Sequence, residues 1–157
     1  MEENILVIPE GTEIIKREEY RNKTEYTGVV FPSSLKEIEA RAFSGCKNLK
    51  VIDLPKGLTN IGSFAFYDVE AVFFIPSTIK SVGIDAFSEE AVIFVECKSY
   101  DFSGSLAPER ESSEHPFAFY GYGGGFTYDS DNRPPAFKHY YESTHEDFLK
   151  YLKEHNL

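Results

Sequence analysis

Tryptophan is absent from this chain of 157 residues, methionine occurs once and cysteine twice. Two cysteines, Cys46 and Cys97, are too few for a disulfide scaffold, and neither has a Cys or His neighbour at metal-ligand spacing, so both read as free thiols. Positive charge is also in short supply. There are 16 Lys and Arg against 26 Asp and Glu, a formal net charge of −10. The acidity is spread, with 10 basic against 16 acidic side chains in residues 1–97 and 6 against 10 in residues 98–157. Nucleic-acid affinity rests on Lys and Arg displacing condensed counterions, so neither nucleic acid nor an anionic membrane is an expected partner. A long N-terminal apolar run is missing as well. Ile5 to Ile8 follows acidic Glu2 and Glu3 and is too short for a signal peptide or a membrane span. The expectation is a cytoplasmic protein with no membrane insertion.

What is present is an apolar content of 41% with 15% aromatics, enough for one core in a globular chain of this length. The apolar residues also recur in phase. Pro9, Pro32, Pro55 and Pro76 follow one another at intervals of 23, 23 and 21 residues. Three residues after each come Thr12, Leu35, Leu58 and Ile79; six after, Ile15, Ile38, Ile61 and Val82; eleven after, Tyr20, Phe43, Phe66 and Phe87. Ahead of each proline stands a β-branched or aromatic run, "ILVI", "GVVF", "VIDL" and "VFFI", with a fifth, "VIFV", at Val92 to Val95. These predict short strands, each ended by a proline that removes an amide donor and fixes φ.

The segments "ARAF", "SFAF" and "IDAF" read as one turn of α or 3₁₀ helix held by packing, and Asn22, Gly45, Asp68 and Glu89 as left-handed residues that stop it. Such a unit cannot bury its apolar columns alone, but stacked units can. The first unit departs from the pattern, with Thr12 at an aliphatic position and Glu19 at the alanine position of Ala42, Ala65 and Ala86, as an outer cap requires.

The stretch "FPSSLKEIEARAFSGCKNLKVIDLPKGLTNIGSFAF" resembles the BspA-type bacterial leucine-rich repeats in Pro55, Leu58, Ile61-Gly62, Ala65-Phe66, Gly45-Cys46 and Leu49, and the resemblance covers about residues 4–97. Glu39 and Lys16 stand where Gly62 and Gly83 do. The resemblance implies an α/β-type repeat solenoid, a small leucine-rich-repeat superhelix with a short parallel sheet along one side. Residues 1–97 would form about four repeats plus a final strand, and residues 98–157 a linker and an irregular aromatic-rich C-terminal appendage ending in a helix.

Strand alternation sends the residues one and three before each proline into the core, among them Ile8, Leu54, Ile75, Ile52, Phe73 and Ile93. The opposite, concave face then carries Val7, Val30, Asp53, Phe74 and Phe94, flanked by Ile5, Gly28, Val51, Val72 and Val92. Only Asp53 is polar. Two Phe side chains left in water would forfeit on the order of 1.5–3 kcal/mol each, so something must cover them. Two occupants fit: the C-terminal segment of the same chain, or a protein partner bound by Val7, Val30, Asp53, Phe74, Phe94, Val51, Val72 and Val92.

Residues 98–116 read as a mobile connection, and "FAFYGYGGGFTY" at 117–128 as two strands about a glycine turn or an irregular aromatic lobe. Ser143 or Thr144 can cap a helix with Glu146 and Asp147 in its first turn, an apolar stripe of Phe148, Tyr151 and Leu152, and a Glu146–Lys150 pair. That helix would cover either the open end of the solenoid after Val95 or the concave sheet.

Chemistry-bearing motifs are sparse. His115, His139, His145 and His155 make no HExxH, no GxSxG occurs, "GYGGGF" lacks the lysine and helix of a phosphate loop, and "DSDN" at 129–132 lacks the glycine and distal glutamate of an EF-hand. No catalytic site, cofactor or metal is expected. The sequence therefore points to a non-catalytic protein-interaction module, a cytoplasmic binding or inhibitory protein, with homo-oligomerisation open. The alternatives are a bacterial surface or secreted adhesin, as the resemblance implies, and an enzyme or ligand-binding activity housed in residues 98–157.

Overall fold

The computed structural model describes residues 3–83, 85–88, 90–96 and 139–157. The readings made for Glu89, Cys97, the connection 98–116, His115, the aromatic and glycine-rich stretch 117–128 and the 129–132 turn lie outside these residues.

The in-phase runs ahead of the prolines form the strands β1 (Ile5–Val7), β3 (Gly28–Val30), β5 (Val51–Asp53), β7 (Val72–Ile75) and β9 (Val92–Glu96). They pair in parallel in the order β1-β3-β5-β7-β9, with Ile5 opposite Gly28, Gly28 opposite Val51, Val51 opposite Val72 and Val72 opposite Val92. Register is kept although the last two units are two and three residues shorter than the first two, so equivalent residues lie side by side and each strand column of the sequence becomes a spatial column. After each strand the proline carbonyl accepts from the amide three residues on, as from Leu35 to Pro32 and from Leu58 to Pro55 at 3.2 Å. This bend turns the chain into a second, smaller parallel sheet, β2 (Ile14–Ile15), β4 (Glu37–Ile38), β6 (Asn60–Ile61) and β8 (Ser81–Val82).

Among the described residues of the repeat no helix follows. The expected half-helices at "ARAF" and "SFAF" are turns, because Arg41 and Phe64 take positive φ of 58° and 59° and break the helical path, as Glu18 and Asp85 do in the neighbouring units at 58° and 49°; Ile84 of "IDAF" lies outside the described residues. Asn22, Gly45 and Asp68, the residues read as left-handed, do have positive φ. The amides freed in these turns bond to the next coil instead: Tyr20 to Ala42 at 2.9 Å, Phe43 to Ala65 at 2.8 Å and Phe66 to Ala86 at 2.7 Å. Backbone donors that a helix would have satisfied internally thus hold rung to rung.

The core lies between the sheets and the turns. Ile52, Phe73 and Ile93 point inward from the larger sheet and Ile15, Ile38 and Ile61 from the smaller, all essentially without exposure. Tyr20, Phe43, Phe66 and Phe87 form a continuous stack with centroids 5.3, 5.3 and 5.7 Å apart and planes within 16°. Each such ring pair contributes about 0.5–1.5 kcal/mol beyond its buried area. Close approach of the coils explains one glycine column. A Cβ on Gly62 would meet the Ala40 nitrogen at 2.5 Å. In the first unit Glu19 is exposed and its Oε1 accepts from the Lys16 amide at 2.9 Å, as a polar cap should.

The C-terminal residues complete the solenoid in two ways. Strand β10 (His139–Ser143) joins β9 in parallel and in register, with His139 opposite Val92 and Ser143 opposite Glu96. Helix α1 (His145–Glu154) then lies against the larger sheet. Of the two placements expected for this segment, the edge after Val95 receives the strand and the sheet face receives the helix.

Candidate protein-recognition face

On the larger sheet the face turned away from the core is built from the two columns named from sequence. The structure divides them. Val7 and Val30 are 65% and 52% exposed and Ile5 is 43% exposed, whereas Phe74 and Phe94 retain 2% and 5%. Phe74, Phe94 and Val72 belong to a second apolar cluster, separate from the core and closed by α1 through Phe148, with Val51, Val92, Tyr151 and Leu152 at its margin. Asp53 is exposed at the boundary between the two parts.

Helix α1 forms here for reasons visible in its own residues. The Thr144 hydroxyl accepts from the Asp147 amide and the Asp147 carboxylate accepts from the Thr144 amide, both at 3.2 Å, and Glu146 and Asp147 complement the positive end of the helix dipole. At ten residues it is too short to persist alone in water. Packing supplies the rest. Phe148 is fully buried, its ring 5.4 Å from Phe74 in a stacked arrangement and 5.7 Å from Phe94 edge-on. Tyr151 lies 5.0 Å from Phe94. The stripe of Phe148, Tyr151 and Leu152 thus serves as expected, but Lys150 meets Glu154 at 4.0 Å rather than Glu146, at the exposed outer surface.

His145, in the first turn, lies tilted over Phe74 with ring centroids 4.7 Å apart and places Nε2 2.8 Å from Oδ2 of Asp53. Asp53, the polar residue among the five named from sequence, thereby meets a polar group carried by α1. Between this contact and the open strands is a groove of about 460 Å³, lined by Val30, Asp53, Lys56, Phe74, Glu96 and His145. Glu96 accepts from the Ser77 amide at 2.9 Å and the Ser77 hydroxyl at 2.8 Å. Partial burial pushes its carboxyl up, but those two bonds, with Lys56 and His145 nearby, outweigh burial and hold it below the usual range.

Little else in the described residues suggests chemistry. Cys46 is buried with its Sγ donating to the Tyr20 carbonyl at 3.0 Å, and burial pushes the thiol up, away from the reactive thiolate. His155 stacks on Tyr151 at 3.9 Å, with Nδ1 2.9 Å from the Tyr151 carbonyl. Among the described residues no group of three His, Cys, Asp or Glu side chains is placed to hold a metal ion, and no helix is long and apolar enough to cross a membrane. Two features of the face escaped sequence reasoning. The His145–Asp53 contact joins residues 92 apart with no local signal, and β10 adds a strand whose sequence, "HYYES", merges with the aromatic stretch before it.

The coil of in-register parallel strands, with one sheet face half closed by its own helix, defines a short repeat solenoid. The profile for the BspA type leucine rich repeat region matches residues 4–103 in six copies, and the chain belongs to that family. Such membership suggests a protein-interaction or adhesin-type repeat module, and repeats of this family are typically non-catalytic. Comparison with curated proteins and with solved structures gives no match.

Proposed function

We propose that this chain acts by recognising another protein through the outward face of its larger sheet, and that it has no catalytic role. The observation that carries the reading is the exposure of Ile5, Val7 and Val30 on a flat parallel face whose other half is closed by α1. Parallel sheets are ordinarily covered on both sides, and apolar side chains grouped on a β-surface mark a place where another surface fits. Val7, Val30 and Asp53 are the contact residues in this reading; Val51 supports its floor, and Val72, Phe74, Val92 and Phe94 hold the helix that frames it. The module works in the cytoplasm, where Cys46 persists as a buried thiol.

The test is a pair of substitutions, Val7→Asp with Val30→Asp, in the full chain, compared with wild type by quantitative affinity capture from native lysate. Both positions are exposed, so the variant is expected to fold with a modest loss of stability from the adjacent carboxylates, checked by its unfolding midpoint before capture. A prey protein lost in the variant supports the reading. An unchanged set of prey contradicts it.

A further inference from the structure

The open part of the sheet has a definite width. Neighbouring strands lie about 4.8 Å apart, so α1, about 10 Å across, closes β7 and β9 and touches only the near margin of β5, at Val51. Packed helices sit about 8–10 Å axis to axis, or two strands. One helix spacing from α1 toward the N-terminal edge falls over β3 and β5, with Val30 and Val51 beneath. Gly28 deepens this floor because it has no side chain, and Ile5 leans into the space: a Cβ on Gly28 would stand 2.8 Å from Ile5 Cδ1. Ile5 and Val7 form the far wall.

The near wall comes from α1 itself. His145 and Leu149 are one turn apart, so Leu149 lies on the same flank as the imidazole that reaches Asp53 in β5. Leu149 is 47% exposed. An apolar residue on the flank facing the open strands extends the existing helix–sheet contact sideways. The end of the trough carries Asp53, paired with His145 yet with its side chain 46% exposed, together with Glu96 and Lys56, two carboxylates against one ammonium in a chain of net charge −10.

Resting on the reading above, we propose that the trough over β3 and β5 binds one amphipathic helix of the partner, lying beside α1, with an apolar stripe at i, i+3, i+4 and i+7 and flanking Lys or Arg. The floor and both walls are apolar and the charge at the trough's end is acidic, which is the complement of such a helix. A strand has no such match, because this surface presents side chains and not a free backbone edge.

The probe is a hydrocarbon-stapled peptide of Leu and Lys with that stripe, alongside a Leu/Glu peptide of the same pattern and a scrambled Leu/Lys peptide, each titrated into the isotope-labelled full chain. The expected result is saturable binding of the Leu/Lys helix, amide shifts centred on Val7, Val30, Val51 and Leu149, and at least about tenfold weaker binding for the scrambled peptide and for Val30→Asp. Absence of saturation at about 1 mM, equal binding of the scrambled peptide, or shifts centred elsewhere overturns it. A photo-crosslinker at Val30 in lysate separates the two levels. Crosslinks to a loop or strand, or to a second copy of the chain, overturn the helix while keeping protein recognition; no crosslinked protein overturns both.

Discussion

The N-terminal and C-terminal halves of the larger sheet share one architecture and have opposite surfaces. In β1 and β3 the outward residues are Ile5, Val7, Gly28 and Val30, medium or small, and they remain in solvent. In β7 and β9 the same columns hold Val72, Phe74, Val92 and Phe94, and α1 sits on them. Register is the same in both halves, so the difference comes from the rings of Phe74 and Phe94 in the central column and from the pairing of β10 with β9, which brings α1 to this end. The larger rings give α1 enough area to fold upon, and the smaller side chains leave a shallow face that α1 does not reach. One chain therefore carries, on one surface, a finished helix–sheet contact and an unfinished one.

Removing the cover should make the halves alike. Phe148→Ala is expected to cost about 3–5 kcal/mol, the range for truncating a buried Phe, read by denaturant unfolding, and to expose Phe74 and Phe94 to a hydrophobic dye. A loss below about 1 kcal/mol would mean that the ring closes nothing. Thr144→Ala removes the capping box without touching the stripe and should cost about 1 kcal/mol, with faster amide exchange in α1 and unchanged exchange in β1 and β3.

At the boundary the expected effects are smaller. The Asp53 and His145 side chains are 46% and 42% exposed, so Asp53→Ala should change stability by at most about 1 kcal/mol while loosening the first turn of α1 in amide exchange. Glu96 adds a pH dependence of known sign. Its carboxyl titrates lower folded than unfolded, so its contribution is present above the unfolded value and fades as pH falls through the folded one. Glu96→Gln should therefore narrow the gap in unfolding midpoint between neutral and acidic pH; an unchanged gap would mean that Ser77 gives the carboxylate no advantage.

The repeat was legible because each coil places its residues in columns, and four columns in phase define both the register and the inward and outward faces. Val7 and Phe74 could be assigned to one face before any coordinates, and Thr144, Phe148 and Tyr151 announced the capped, amphipathic helix. The turns were not legible in the same way. Glu18, Arg41 and Phe64 adopt positive φ although nothing in those residue types favours it; the inter-coil hydrogen bonds of Tyr20, Phe43 and Phe66 impose it. The strands of the smaller sheet hold two residues each, too few for alternation to show. Which half of the face α1 would choose was also hidden, since it depends on where β10 adds to β9, a contact between distant parts of the chain.

Two single substitutions in equivalent positions of the outward column test the division of the face most directly. Val30→Asp and Phe74→Asp should be compared by urea unfolding of the full chain under one condition. An open N-terminal half and a covered C-terminal half predict a loss of at most about 1 kcal/mol for the first, from strand propensity and the nearby Asp53, and a loss above about 3 kcal/mol for the second, because only the second places a charge beneath α1. Equal losses at the two positions would contradict the account.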